Sequence, residues 1–504
     1  MRSLFLENPT IGDTGPQEGD GFGFALAAGD FDGDGHEDLA VGMPFDSGPI
    51  VAPLFASGAV VVYFGRIDGT LDTIAPRRLT QIPGSGFEEL DQHGFALAAG
   101  DFDGDGFDDL AVGAPGEALG ATTATGAVFV YPGGSSGPHQ DDFLLYTQAT
   151  IGIPETAEPS DSFGATLASG DFDDDGFDDL AIAAPGESLE GQAAAGWVVA
   201  IPGSGTGPDP SGAFGFSQVE LAGNPETGDR FGLALAAGDW NGDGFDELAV
   251  GVPQEDAGTG ALHLLFGSAS GLTLSGAVVL DDFLLGGFTE SGDRFADELA
   301  FGDFDGDGFD DLVVGVPGED LPVAGGGTIQ NAGQVVAAYG AVGVPTLGLV
   351  QHWRESDLQG SPGPGDTFGS SLVAADFDGD GHDELAIGHV GEDGFAGAVS
   401  VVGGSTIGLV SNRRRRFATG AEGVPGIPPG TFAAALGAGD FDGDGFAELA
   451  IGSTSQSVGG IELAGAATVL RGAQFADGFE SDSLQYWTIP VSSLEPRSPT
   501  PPSR

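Results

Sequence analysis

The chain contains no cysteine and no lysine. Without thiols, disulfides, zinc–thiolate centres and thiol catalysis are excluded, although the absence by itself assigns no compartment. Positive charge is scarce: the 14 basic residues are all arginine and face 77 acidic ones, for a formal net charge of −63. A nucleic-acid partner is therefore not expected, because phosphate binding needs a basic stripe. No apolar stretch approaches the ~18 to 20 residues of a membrane span. The amino terminus, MRSLFLENPT, carries one arginine and a short Leu/Phe run, below the ~7 to 15 residues of a secretory h-region. Asn8 is followed by proline, and no Asn-X-Ser/Thr acceptor with a permitted middle residue occurs elsewhere, so N-glycosylation at such a site is not expected.

What the chain has in abundance is glycine (92 residues), aspartate and repetition. Seven times it writes a cassette of the form D-F-D-G-D-G-x-x-D followed by an apolar run, beginning at Asp30, Asp101, Asp171, Asp239, Asp303, Asp376 and Asp440. The start-to-start spacings are 71, 70, 68, 64, 73 and 64 residues. A period running nearly end to end overrides any domain count based on length alone. The expected organisation is one repeat array over residues 1–472 and a partly disordered Pro/Ser-rich tail over 473–504. Of the 77 acidic residues, 34 lie within the seven cassettes: 27 at positions 1, 3, 5 and 9, six at position 8, and Asp174. Such clustering points to dedicated cation sites, with the remaining acids forming a solubilising skin.

The second unit illustrates the repeat. Residues 94–101 lead into the acidic loop, 110–114 lead out, 126–131 form a Val/aromatic run, and 143–148 follow the turn PGGSSG. Four short strands joined by turns predict an antiparallel meander. A lone sheet of this kind has two faces to cover, and radial arrangement lets each cover the next. The fold class expected is therefore all-β, a seven-bladed β-propeller. The last unit has no convincing fourth strand, whereas residues 2–7 (RSLFLE) precede the first unit where a fourth strand precedes every later one. This segment is expected to complete blade seven and close the ring.

The cassette has the chemistry of a calcium loop. Calcium takes six to eight oxygen ligands, and positions 1, 3, 5 and 9 supply carboxylates while position 7 offers its carbonyl. The candidate ligands are Asp30, Asp32, Asp34, His36 and Asp38; Asp101, Asp103, Asp105, Phe107 and Asp109; Asp171, Asp173, Asp175, Phe177 and Asp179; and Asp239, Asn241, Asp243, Phe245 and Glu247. The later loops supply Asp303, Asp305, Asp307, Phe309 and Asp311; Asp376, Asp378, Asp380, His382 and Glu384; and Asp440, Asp442, Asp444, Phe446 and Glu448. Up to seven Ca²⁺ ions are thus expected, with altered affinity in the loops ending in Glu247, Glu384 and Glu448. An EF-hand is excluded because position 12 is Val or Ile in every copy instead of the bidentate Glu that motif demands. Position 6 is always glycine and position 2 always aromatic, the latter expected to plug into the core beneath the metal.

These residues resemble the FG-GAP repeats of integrin α-chain heads and of many bacterial extracellular proteins. The Phe-Gly pair stands at Phe22-Gly23, Phe163-Gly164, Phe231-Gly232 and Phe368-Gly369, relaxed to His93-Gly94, Phe295-Ala296 and Phe432-Ala433. The second element is Gly113-Ala114-Pro115 with four close variants, but units six and seven depart, with Gly388-His389-Val390 and Gly452-Ser453-Thr454. The resemblance implies a seven-bladed propeller with calcium-bound loops on one face. It carries adhesion over by analogy of fold only. The function expected is a monomeric, calcium-binding extracellular or cell-surface module for a protein or glycan partner, with the export signal missing from the start of the chain. A propeller enzyme (hydrolase or lyase) and a passive surface module are the alternatives.

Two further motifs carry less. Gly133-Gly134-Ser135-Ser136-Gly137 matches G-x-S-x-G, but it falls between two strands, whereas a nucleophile elbow joins a strand to a helix. Arg413–Arg416 is the one basic run, read as a solvated outer strand paired with acidic surface, or as an anion or partner-docking patch or a protease-sensitive site.

Overall fold

The computed structural model describes residues 3–9, 16–47, 56–66, 71–81, 90–342, 349–418 and 431–471, apart from positions 121, 222, 324, 459, 460 and 462. Each repeat forms a four-stranded antiparallel sheet, and the seven sheets make a seven-bladed propeller. Blade one contains Leu26–Gly29, Asp38–Met43, Ala59–Tyr63 and Arg77–Leu79, and blade two Leu97–Gly100, Asp109–Ala114, Ala127–Tyr131 and Leu144–Tyr146. Blade six runs Phe368–Ala375, Glu384–His389, Ala398–Gly403 and Val410–Ala418. Blade seven takes Phe432–Gly439, Glu448–Ser453 and Ala466–Leu470 from the end of the chain and Ser3–Leu6 from its beginning.

Second and third strands are buried along their whole length, as in Asp38–Met43 and Ala59–Tyr63. Both of their faces are covered by neighbouring blades, so they read as continuous apolar runs and not as alternation. The hydrophobic clusters accordingly bridge blades: Leu39, Val41 and Val61 of blade one pack with Ala450, Ala467 and Val469 of blade seven. Ser3–Leu6 pairs antiparallel with Ala466–Leu470, from Ser3 opposite Leu470 to Leu6 opposite Ala467, and Leu6 is buried in the same cluster. The tail over 473–504 lies outside the described residues.

The Phe-Gly pair and the Gly-Ala-Pro triplet are inter-blade joints. The strand-two glycine of one blade lies so close to the Phe-Gly turn of the next that a Cβ on Gly42 would stand 2.2 Å from the Gly94 carbonyl oxygen, and one on Gly113 2.0 Å from that of Gly164. Parallel bridges tie Gly58 to His93, Gly126 to Phe163 and, across the closure, Gly465 to Phe22. The G-x-S-x-G segment lies in the turn between Ala127–Tyr131 and Leu144–Tyr146.

Candidate metal centres

Every acidic cassette links the first strand of its blade to the second, and the geometry of the loop is set by position 1. In loop one Asp30 accepts the amide N–H of Asp34 through Oδ1 (3.1 Å) and that of Gly35 through Oδ2 (3.0 Å). Asp32 accepts from Asp34 N–H at 3.2 Å, and Asp34 from His36 N–H at 3.0 Å. Loop two repeats these contacts, with Asp105 and Gly106 amides on Asp101 and the Phe107 amide on Asp105. The turn needs a left-handed residue at position 6, and Gly35 has φ +88°, a region open to glycine at no steric cost. The aromatic residues at position 2, Phe31, Phe102, Phe172, Trp240, Phe304, Phe377 and Phe441, are all buried.

The donor sets fit a hard cation. Carboxylate oxygens of Asp30, Asp32 and Asp34 lie within 4.8 Å of one another, as do those of Asp101, Asp103 and Asp105 and of Asp171, Asp173 and Asp175. The position-9 carboxylate is buried, and in loop one it is half satisfied: Asp38 accepts from Gly65 N–H at 2.8 Å through Oδ1, while its Oδ2 has no hydrogen bond. In loops three and five the second oxygen accepts the N–H of Phe172 or Phe304, at 3.2 and 3.1 Å. Asp173 Oδ1 is likewise buried without a partner. Burial pushes Asp38 and Asp311 up to about 8 and Asp109 and Asp179 up to about 7, with adjacent loop carboxylates adding to the rise. An acceptor-only group held this way in a crowd of like charge lacks a counter-ion, which a divalent cation supplies.

The carboxylates at position 8 play a different part, one their recurrence signals but local spacing does not explain. Asp108 of blade two accepts the N–H of Asp30 in blade one at 2.8 Å, and its own N–H donates to the Asp30 carbonyl at 3.2 Å. Asp178, Asp246, Asp310 and Asp383 repeat the link to Asp101, Asp171, Asp239 and Asp303. Room for this carboxylate comes from the glycine before the cassette: a Cβ on Gly100 would meet Asp178 Oδ2 at 2.7 Å. Where position 8 is Ala447, the preceding blade carries Ala375 in place of that glycine. The side chain at position 7 also belongs to the joint. Phe107 packs over Gly33 of the preceding loop, and His36 over Gly443.

Three loops depart from this pattern. In loop four the Asn241 amide donates to Glu247 Oε1 at 2.9 Å, and Asn241 N–H to Glu247 Oε2 at 3.1 Å. In loop seven Glu448 accepts from Phe441 N–H at 3.0 Å, and Arg471 Nη1 lies 3.9 Å from Asp442. In loop six Glu384 accepts the N–H groups of Phe377 and Asp378 at 2.9 and 3.1 Å, and an arginine side chain enters the loop.

Against this geometry the comparisons with known proteins are direct. The family profile described as FG-GAP repeat matches residues 22–63, 93–131, 163–201, 231–265, 295–337, 368–402 and 432–470, one match per blade. The chain belongs to the FG-GAP repeat family. Integrin alpha-PS2 of Drosophila melanogaster is 34% identical over 243 residues, covering 46% of this chain and 15% of the integrin. Integrin alpha-5 of Xenopus laevis is 33% identical over 246 residues, covering 46% and 20%. Phosphatidylinositol-glycan-specific phospholipase D of Rattus norvegicus is 36% identical over 169 residues, covering 32% and 18%. The aligned regions are thus a fifth or less of each relative's length.

At the other end of the FG-GAP blades lies a second set of buried carboxylates. Gln148 Nε2 donates to Glu187 Oε2 at 2.7 Å and Gln81 Nε2 to Glu117 Oε2 at 2.8 Å. Asp161, Glu187, Asp293 and Glu319 are buried. Burial, then neighbouring acids, raises Glu187 and Glu319 to about 8, Glu255 to about 7, and Asp161 and Asp293 to about 6. Groups raised in the folded state hold protons that the unfolded chain has released. Their contribution is complete below pH ~4, the unfolded carboxyl range, and is lost as pH rises through about 6 to 8. In chelator, the melting temperature is therefore expected to fall from pH 5.5 to 8.5, and Glu187→Gln to flatten the curve. Thermal melts across that range check it, and a flat wild-type profile would remove these carboxyls as proton carriers.

The inner strands surround a central cavity of about 260 Å³ lined mostly by alanine and leucine. One carboxylate, Glu298, is in its described lining, and burial raises it to about 8. The paired carboxylates of a glycosidase-type reaction are not in that lining.

Proposed function

We propose that this FG-GAP propeller is a calcium-stabilised extracellular or cell-surface module that binds a protein or glycan partner through its loop faces. The observation that carries the reading is the convergence of the position 1, 3 and 5 carboxylates in repeated loops, on a fold similar to parts of integrin α chains. Loops one, two, three and five would hold the ion through Asp30, Asp101, Asp171, Asp303 and their partners at positions 3, 5 and 9; loops four and seven would do so with Asn241, Glu247 and Glu448 in the set. Bound calcium supplies positive charge that fixes the loop and, through it, the rim of the propeller. Modest-affinity loops of this kind fill at millimolar extracellular calcium, which supports an extracellular setting. The test is capture of the calcium-loaded and chelator-treated protein on arrays of glycans and extracellular matrix proteins. Calcium-dependent capture of a defined ligand is the expected result, and no capture in either state by a folded protein would overturn the binding role.

The similarity to phospholipases D supports a second reading, in which the propeller serves a hydrolase. Turnover of glycosylphosphatidylinositol-type substrates by the purified chain would decide for it.

A further inference from the structure

The four arginines of the basic run do not share one environment, because a bulge sets Arg413 apart from Arg414–Arg416. The outer strand of blade six pairs Val410 with Gly403 and then Arg414 with Val402, so residues 411–413 form an irregularity in the ladder. Bulges re-aim side chains, and here the Arg413 guanidinium turns into loop six. Its Nη1 donates to Asp380 Oδ2 at 2.7 Å and to the Gly404 carbonyl at 2.6 Å. Its Nη2 bonds Asp378 Oδ2 and lies 3.8 Å from Glu384 Oε1. Asp378, Asp380 and Glu384 are positions 3, 5 and 9 of the cassette, the carboxylates that a cation would gather.

An independent feature makes room for this side chain. The residue just before the glycine at 65, 133, 203, 267, 340, 404 and 472 is Phe64, Pro132, Pro202, Phe266 and Tyr339 in blades one to five and Arg471 in blade seven, but Gly403 in blade six. A Cβ on Gly403 would stand 2.5 Å from the Arg413 Cβ. The glycine and the arginine thus occur together, in the one blade whose outer strand carries the basic run.

We infer that loop six is closed by the Arg413 guanidinium in place of a calcium ion. A guanidinium is a permanently charged planar fork matched to carboxylates. It satisfies the loop's need for positive charge, and a divalent ion placed among the same oxygens would be repelled by it. Loop six, which with loop seven departs from the family pattern both at position 9 (Glu384) and in the following triplet (Gly388-His389-Val390), is then a metal-free strut, fixed at any calcium concentration. The inference rests on the calcium reading of the other loops.

Equilibrium dialysis with metal analysis on the full chain tests it, alongside thermal melts in chelator. Arg413→Gln is expected to bind one more calcium equivalent than wild type, Asp103→Asn one fewer. In chelator Arg413→Gln is expected to melt several degrees below wild type. An unchanged calcium count in Arg413→Gln overturns the inference, and so does an unchanged melt in chelator. If wild type binds no calcium the calcium reading itself fails, and the chelator melt alone judges the arginine. Should Arg413→Gln not fold, hydrogen exchange on the wild type decides: calcium is expected to slow exchange over 101–109 and leave 376–384 unchanged. Equal slowing of both loops overturns the substitution of arginine for metal.

Discussion

Stripping divalent cations from the full chain is expected to lower its melting temperature by about 15 to 20 °C. The magnitude follows from linkage. A site at a hundred times its dissociation constant contributes about 2.7 kcal/mol, so six loops contribute roughly 16 kcal/mol. With an unfolding entropy of about 2.1 cal/mol/K per residue over the roughly 420 described residues, that is a shift near 18 °C. The sign follows from the loops themselves. Asp30, Asp32 and Asp34 crowd together, and the buried Asp38 beside them leaves one oxygen unbonded. Without a cation the folded state must either protonate these groups or hold them against mutual repulsion. Differential scanning calorimetry with calcium and with excess chelator makes the comparison. A shift under about 3 °C, close to the effect of one such site, would show that the repeated carboxylates do not act as calcium cages.

Deleting residues 1–8 is expected to lower the melting temperature by at least about 5 °C and to promote self-association. The deletion removes strand Ser3–Leu6 and its four register pairs with Ala467–Leu470. It also removes the buried Leu6, the Asn8 Nδ2 bond to Asp20 Oδ2 at 3.0 Å, and the Tyr63 hydroxyl bond to the Glu7 carbonyl at 3.0 Å. Burying one leucine is worth about 1.5 to 3 kcal/mol, and with the half-buried neighbours and lost hydrogen bonds the total is roughly 5 kcal/mol. The larger consequence is topological. Ala466–Leu470 becomes an edge strand, and an uncovered edge is a template for pairing with another chain. Calorimetry and light scattering on the truncated protein read both effects. A monomeric truncation with the wild-type melting temperature would mean that this pairing does not lock the ring.

The parts of the site that could be read from sequence are those confined to nine consecutive residues. Asp30, Asp32 and Asp34 converge because they sit at alternate positions of one tight turn whose amides fold back onto Asp30. Blade number and strand order were legible for a related reason: each unit repeats its own local pattern, and the covering of one sheet by the next makes a ring the simplest arrangement. Position 8 was visible as a recurring acid but not interpretable. Asp108 bonds Asp30, some 78 residues away, and nothing within its own cassette announces that partner. The histidines at position 7 were read as carbonyl donors only, whereas His36 also packs against Gly443 of the preceding blade.

Arg413 is the clearest case of what sequence left open. As one of four arginines on an outer strand it reads as surface charge, and its distinct role depends on a bulge and on the space beside Gly403. The sequence by itself determined the repeat, the all-β blades and the candidate ligand at every loop position, because those rest on local periodicity and on side-chain chemistry at short range. Only the tertiary structure decided which carboxylates face a neighbouring blade, which buried acids gather at the far end of the blades, and that the Arg413 guanidinium sits among the carboxylates of loop six. Those depend on contacts between residues tens of positions apart, brought together only when the blades pack into a ring.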